Sequence, residues 1–205
     1  MKLEKFTEKG REIIANSQNF AIKEGHQQFL PVHVLNELLP EWQALGAPLN
    51  VPVTRDRFNL LTARHRVVLP TPPQMKNHGN YIISLGIFAR WLAEQAVTLG
   101  VEIYPGFAAA EVLYNDDGSV KGVATGNMGV GKDGEPTGEF QLGMELHGKY
   151  TVFAEGCRGS LTKMLFEKFD LRKGCDPQTY GLGVKEIWEI PADQHKAGLC
   201  VHTVG

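Results

Sequence analysis

The stretch TVFAEGCRGSL, residues 151–161, holds the densest set of groups able to do chemistry. Glu155 supplies a carboxylate, Cys157 a thiol and Arg158 a guanidinium, with Gly156 and Gly159 between and beside them. Thr151 to Ala154 read as a short apolar strand and Gly159-Ser160 as a helix start, so a strand–turn–helix unit is expected. In open α/β sheets the carboxyl end of a strand is where nucleotides and cofactors bind. A helix N-terminus at that place offers backbone N–H donors and a positive dipole end to an anion. Glycine at 156 and 159 lets a ring or a pyrophosphate come close to the backbone. An ordinary β–α turn accounts for the same residues, and the two readings stand level. Cys157 reads as a thiol activated by that dipole or as a small packing residue, the second being the stronger reading.

Two further stretches contain residue types that could act. His78-Gly79-Asn80-Tyr81 follows a proline-rich run, Pro70, Pro72 and Pro73, stiff enough to shape a pocket wall. A histidine in a turn is more often structural than catalytic, and both readings are kept. The segment GNMGVGKDGEPTGE, residues 126–139, is rich in glycine but lacks the strand–glycine–helix context of a phosphate loop. It reads as a solvated hairpin loop. No catalytic residue and no metal ligand set is assigned.

The elements that must position these residues follow from periodicity. Phe6, Ile13, Ile14, Phe20 and Ala21 form a helical stripe that Thr7 can cap, with a break at Glu24-Gly25-His26. Pro31 opens a second helix, so 1–38 reads as a helical hairpin and 39–205 as a second domain. RHRVVLP reads as a strand and Gly86 to Leu99 as a helix, with Ile87, Trp91, Leu92 and Ala96 on its apolar face and Gly100 as its stop. VEIYPG, AAAEVLY, SVKGVAT, ELHGKYTVFAEG, QTYGLGVKEIWEI and LCVHTVG read as strands, Asn115-Asp116-Asp117-Gly118 as a tight turn, and GSLTKMLFEKF as a helix. The pattern is α/β, or α+β.

Totals bound the function. The chain has 205 residues, 42% hydrophobic and 21% charged, with a formal net charge of −2. No basic stripe marks it for nucleic acid. No apolar run is long enough for a membrane span. The N-terminal residues have no secretory pattern, and Glu4, Glu8 and Glu12 argue against a transit peptide. Three cysteines without CxxC spacing argue against disulfides and a zinc site and cannot by themselves hold an iron–sulfur cluster, for which four cysteine ligands are the norm.

From about residue 35 onward the chain resembles the electron transfer flavoprotein–ubiquinone oxidoreductase family, also called electron-transferring-flavoprotein dehydrogenases. The resemblance is carried by LLPEWQALGAPLNVPVTRDRF, KNHGNYIISLG, WLAEQAVTLGVEIYPGFAAAEVLYNDDGSVKGVAT, TVFAEGCRGSL and DPQTYGLGVKEIWEI. It implies a glutathione-reductase-like FAD-binding fold, here incomplete. It also implies FAD as cofactor, with a 4Fe–4S cluster and ubiquinone in the intact family, and electron transfer flavoprotein as partner. Peripheral contact with a membrane follows from the same resemblance. That surface is the inner face of the bacterial cytoplasmic membrane, or the mitochondrial inner membrane in a eukaryote. In that frame Ala109 and Ala110 border the adenosine end of FAD, and Glu155, Gly156 and Gly159 border the isoalloxazine or ribityl side. The stretches DPQTYGLGVKEIWEI and NDDGSVKGVAT argue against the alternative, a reductase of the geranylgeranyl type.

Residues 1 to about 38, FTEKGREIIANSQNFAIKEGHQQFLPVHVLNELL in particular, resemble the first repeat of the N-terminal domain of Clp-type AAA+ unfoldases. Two expectations follow: a foreign front end, with a protein-binding module as the alternative function, and an internal fragment behind it. The family's strand–GxGxxG–helix unit does not occur in these residues, so the chain alone is expected to be inactive and poorly soluble.

Overall fold

The computed structural model describes residues 7–25, 29 and 31–205. Two compact units are present: one runs to Glu102 and resumes at Glu186–Gly205, the other is Ile103–Lys185. Each mixes helix and sheet.

In the first unit α1 spans Glu8–Lys23. The Thr7 hydroxyl accepts a hydrogen bond from the Gly10 N–H at 3.1 Å, which satisfies one donor that the first turn leaves unpaired. Ser17 and Ala21 are buried and Ile13, Ile14 and Phe20 half-buried, so the stripe forms. Gly25, at φ 69°, ends the helix in the left-handed conformation that favours glycine. Phe6 and His26 lie outside the described residues. In α2 (Pro31–Leu38), proline holds the first position, where an N–H is not needed. Asn16 of α1 donates to Glu37 of α2 at 2.8 Å.

Next come β1 (Val51–Pro52), β2 (Arg55–Leu61), β3 (Arg66–Leu69) and β4 (Tyr81–Ile82). The strands β2 and β3 form an antiparallel hairpin, and β1 pairs antiparallel with β4. A 3₁₀ turn covers Pro73–Met75. Helix α3 (Leu85–Thr98) stops at Gly100, φ 88°. Of its expected apolar face Trp91 is buried, while Ile87 stays 56% exposed. Trp91 packs with Leu35, Trp42 and Ala47 in the core of this unit. Its indole N–H donates to the Leu45 carbonyl at 2.9 Å, the partner a buried indole requires.

In the second unit β5 (Ala109–Tyr114) and β6 (Val120–Thr125) form an antiparallel hairpin. Its turn has Gly118 at φ 82°, and Asp117 accepts from the Ser119 N–H and hydroxyl. The glycine-rich segment is a hairpin of its own, β7 (Met128–Val130) against β8 (Pro136–Gln141). A third strand, β9 (Glu145–His147), adds to β6. Helix α4 (Ser160–Lys168) lays Leu161 and Leu165 on Val112 of β5, forming this unit's core with Val123 and Phe153 beside it. Finally β10 (Leu199–Val204) returns to the first unit and runs parallel to β2, with Cys200 opposite Asp56.

Three expected strands are absent. Residues 101–106, 151–154 and 178–190 form no ladder. An apolar run becomes a strand only when a neighbouring strand takes its N–H and C=O groups, and no strand does so here. Val152 is 86% exposed, whereas Phe153 reaches the core.

Candidate functional site

The strand–turn–helix expectation places its chemistry at 155–161, and the turn is where the structure is most specific. Glu155 does not project into open space. Its Oε2 accepts from the Thr162 N–H at 2.8 Å and the Thr162 hydroxyl at 2.7 Å, and its Oε1 accepts from the Leu161 N–H at 3.2 Å. The carboxylate therefore caps α4, whose positive dipole end favours a negative charge there. Hydrogen bonds from the Thr162 side chain and then its main chain hold the Glu155 carboxyl below its ordinary range.

This arrangement corrects one expectation. The donors at the start of α4 are taken up by Glu155 itself, so they are not open to a ligand phosphate. It also explains Gly159. A Cβ there would stand 2.6 Å from the Glu155 Cβ and 2.7 Å from its Oε2, so only glycine leaves room for the cap. Gly156 is different: its φ is 78° and nothing lies within 4 Å of where a Cβ would point. That leaves a bare stretch of backbone facing open space.

Cys157 and Gln178 meet at this turn, the Gln178 amide donating to the Cys157 carbonyl at 3.4 Å. The Arg158 guanidinium lies 4.9 Å from the centre of the Tyr180 ring, a cation–π contact. Cys157 is exposed rather than packed, so the packing reading fails. A recess of about 120 Å³ opens between Gly156, Gly159, Phe166 and Gln178. That is below the roughly 300 Å³ at which small-molecule sites begin. Ala109 and Ala110 are exposed at the start of β5, where a register shift between Ala109 and Glu111 leaves Ala110 unpaired. They share that strand with Val112, which packs on α4.

A second site, which sequence reasoning missed, lies in the first unit. A recess of about 300 Å³ is walled mainly by Leu35, Leu49, Val53, Ile82 and Phe88, with Asn77 and Cys200 among its polar members. Beside it Asp56, Asn77 and His202 form one network. Asn77 donates its main-chain N–H to Asp56 Oδ2 at 2.8 Å and its amide to Asp56 Oδ1 at 2.7 Å. His202 Nε2 lies 3.4 Å from the same Oδ1. Burial works against the Asp56 charge, but the Asn77 and His202 hydrogen bonds outweigh it and hold the carboxyl below its ordinary range. Burial first, and then the Asp56 charge, push the Cys200 thiol up. His78 is exposed and takes no part in this network. Among the described residues no cluster of histidine, cysteine, aspartate or glutamate has the grouping of a metal site. No described helix is long and apolar enough to cross a membrane.

No family model matches the chain. Individual proteins do. Over 171 residues it is 59% identical to the mitochondrial electron transfer flavoprotein–ubiquinone oxidoreductase of Dictyostelium discoideum and 57% identical to that of Homo sapiens. These alignments take in 83% and 82% of this chain and 28% of either relative. A probable electron transfer flavoprotein–ubiquinone oxidoreductase of Acinetobacter baylyi is 52% identical over 205 residues, 97% of this chain and 34% of that protein. The chain thus spans about 28–34% of the length of the relatives it matches, and the match is to a portion of an oxidoreductase of that name. The last alignment bears on the amino-terminal segment: 38 residues cannot lie outside a match to 97% of the chain. The resemblance to Clp-type repeats is not supported.

Proposed function

We propose that these residues form part of an electron-transferring-flavoprotein dehydrogenase, which takes electrons from reduced electron transfer flavoprotein and delivers them to ubiquinone at a membrane surface. The observation that carries this reading is 52–59% identity sustained over 171 to 205 residues. In this reading the chain is an incomplete glutathione-reductase-like FAD-binding fold.

The second unit fits FAD as a wall and not as a phosphate cradle. Gly156 offers backbone with nothing opposite it, and Ala109 and Ala110 offer a smooth exposed strand end. Both suit a flat, uncharged part of the cofactor. The donors at the start of α4 are occupied by Glu155, so the pyrophosphate belongs elsewhere. Bound FAD would supply the redox chemistry. The chain's own contribution is to hold Gly156 and Gly159 in shape through the Glu155 cap. The 4Fe–4S cluster does not fit this chain: it has three cysteines, Cys157, Cys175 and Cys200, and a cluster takes four.

Membrane contact is supported by the β2–β3 hairpin. It exposes Leu60, Leu61, Val67, Val68 and Leu69 around a tip carrying Arg64, His65 and Arg66. Apolar side chains beside cations suit an interface between acyl chains and anionic headgroups. The surface would be the inner face of a bacterial cytoplasmic membrane or the mitochondrial inner membrane.

Two experiments test the reading. Exchanging these residues for the matching portion of the Acinetobacter baylyi relative should leave a chimera that still reduces quinone. A folded, FAD-loaded chimera without that activity refutes the function. Titrating the chain with FAD, followed by flavin fluorescence quenching, tests the wall. Saturable binding shows that it holds flavin by itself, and turnover by the chain alone with reduced electron transfer flavoprotein contradicts its expected inactivity.

A further inference from the structure

The first unit carries another recess, of about 250 Å³, walled by Thr54, Arg55, Asp56, Thr71, Lys76 and His78. Its cations come from two separate stretches, the start of β2 and the loop after the 3₁₀ turn. Two clamps fix those stretches. Asp56 holds Asn77 through main-chain and side-chain N–H groups at 2.8 and 2.7 Å, which ties Lys76 and His78 on either side of it to β2. The main-chain N–H groups of Thr54 and Arg55 both donate to the Gly198 carbonyl, which ties Arg55 to the approach to β10. Two permanently charged residues and a histidine, all three exposed, thereby line one recess.

That convergence is not neutralised from within. Among the described residues Arg55, Lys76 and His78 have no ion-pair or side-chain hydrogen-bond partner. The one carboxylate in the wall, Asp56, is taken up by Asn77 and His202. Thr54 already donates its hydroxyl to the Ala197 carbonyl at 3.3 Å, so it supplies shape, while the Thr71 hydroxyl is available as a donor. With no free counter-charge in its wall, this lining favours an anionic ligand.

We propose that this recess binds a phosphate-type oxyanion, presented by a soluble phosphorylated compound or by a phospholipid headgroup. An arginine fork matches two phosphate oxygens at once, a lysine adds a point charge, and histidine and threonine donate one hydrogen bond each. The proposal stands on the first unit alone and does not rest on the functional reading above.

The test uses the full chain and two probes, pyrophosphate by calorimetry at low salt and phosphatidylcholine vesicles carrying phosphatidylglycerol by co-sedimentation. At least one probe is expected to bind. Arg55→Gln and Lys76→Gln should each weaken that binding about tenfold, the loss of one charge-assisted contact. Lys76→Arg should keep most of it, and Lys132→Gln, in the other unit, should change nothing. Added salt should weaken it several-fold. Pyrophosphate binding with this pattern assigns a soluble source, and vesicle binding alone with this pattern assigns a headgroup. Binding of neither probe, or equal losses in Lys76→Gln and Lys132→Gln, overturns the proposal. Unchanged hydrogen exchange at Asn77 in both glutamine variants shows that the clamp, and so the fold of the recess, is intact.

Discussion

Asp56→Asn keeps the shape of the side chain and removes its charge and one of its two acceptors. In the native unit Asp56 Oδ2 accepts the Asn77 main-chain N–H at 2.8 Å, and Oδ1 accepts the Asn77 amide at 2.7 Å. An asparagine at 56 can accept one of these. Its own NH₂ must then face the other donor, so one contact is lost and the survivor is no longer charge-assisted. The Asp56 side chain is only 11% exposed, which leaves little water to stand in. The expected loss is about 2–3 kcal/mol. Native-state hydrogen exchange at the Asn77 amide reads local opening directly, and this loss corresponds to exchange roughly 30- to 140-fold faster. Acceleration below about threefold, under ~0.7 kcal/mol, would refute the clamp. The pH dependence has a fixed sign. Burial pushes the Asp56 carboxyl up, but the Asn77 and His202 hydrogen bonds set it below its ordinary value of 3.8. A lowered acid contributes its full stability above the ordinary value and loses it as pH falls through the lower folded value. Asn77 protection should therefore hold down to about pH 4 in the native chain, fade below 3.8, and lack this step in Asp56→Asn.

Other perturbations follow from the same geometry. Glu155→Ala removes the α4 cap, and Gly159→Ala pushes a Cβ into the Glu155 side chain. Both should lower helicity at 160–168, and the double variant should be no worse than the more severe single, since they break one contact. Full additivity by circular dichroism and melting counts against that. Gly122→Ala would set a Cβ 2.0 Å from the Leu146 carbonyl oxygen and should break the β6–β9 pairing, at a cost of about 2 kcal/mol or more in urea unfolding. A wild-type midpoint would mean that β9 pairs differently. Cys200, with its thiol pushed up by burial and by the Asp56 charge, should alkylate more slowly than exposed Cys157 and Cys175. Labelling followed by peptide mass analysis decides the order, and Cys200 reacting first would contradict it.

Where structure is decided locally, it was legible in the sequence. Thr7 and Gly25 bound α1, Gly100 ends α3, and Asn115 to Gly118 turn β5 into β6, each by a rule that spans a few residues. The strands expected at 101–106, 151–154 and 178–190, which do not form, have apolar runs as good as those of β5, but a ladder needs a partner from elsewhere, and local pattern carries no sign of one. The site behaves likewise. Glu155 was visible as an acid in a turn, but its reach forward to Thr162 was not, and that reach decides both its role and the need for Gly159. Asp56, Asn77 and His202 are separated by 21 and 125 residues along the chain. Each is an unremarked polar residue until the fold joins them, so no spacing rule could have found the network.

The segment 178–190 shows what the missing ladder means energetically. Leu182 is 98% exposed, Ile187 fully exposed and Trp188 76% exposed. Burying a large apolar side chain contributes about 1.5–3 kcal/mol, so these three alone withhold about 5–9 kcal/mol, comparable to the whole stability of an ordinary domain. Against this, the described residues of the segment make the Arg158–Tyr180 contact, the Gln178 hydrogen bonds to the Cys157 carbonyl and from Arg172, and a local one from the Trp188 indole to Glu186. A stretch so weakly held opens by local fluctuation and is cut first. Limited chymotrypsin digestion of the chain should therefore cleave after Tyr180, Leu182 or Trp188 before it touches the helices, with the rate independent of mutations in α4. If cleavage begins elsewhere and this segment resists, these side chains are covered in solution, most simply by a second copy of the chain. A concentration-dependent sedimentation coefficient would then accompany the resistance. Resistance at every concentration, with a monomeric coefficient, would show that 178–190 is held by contacts within its own chain, and the energetic reasoning would fall.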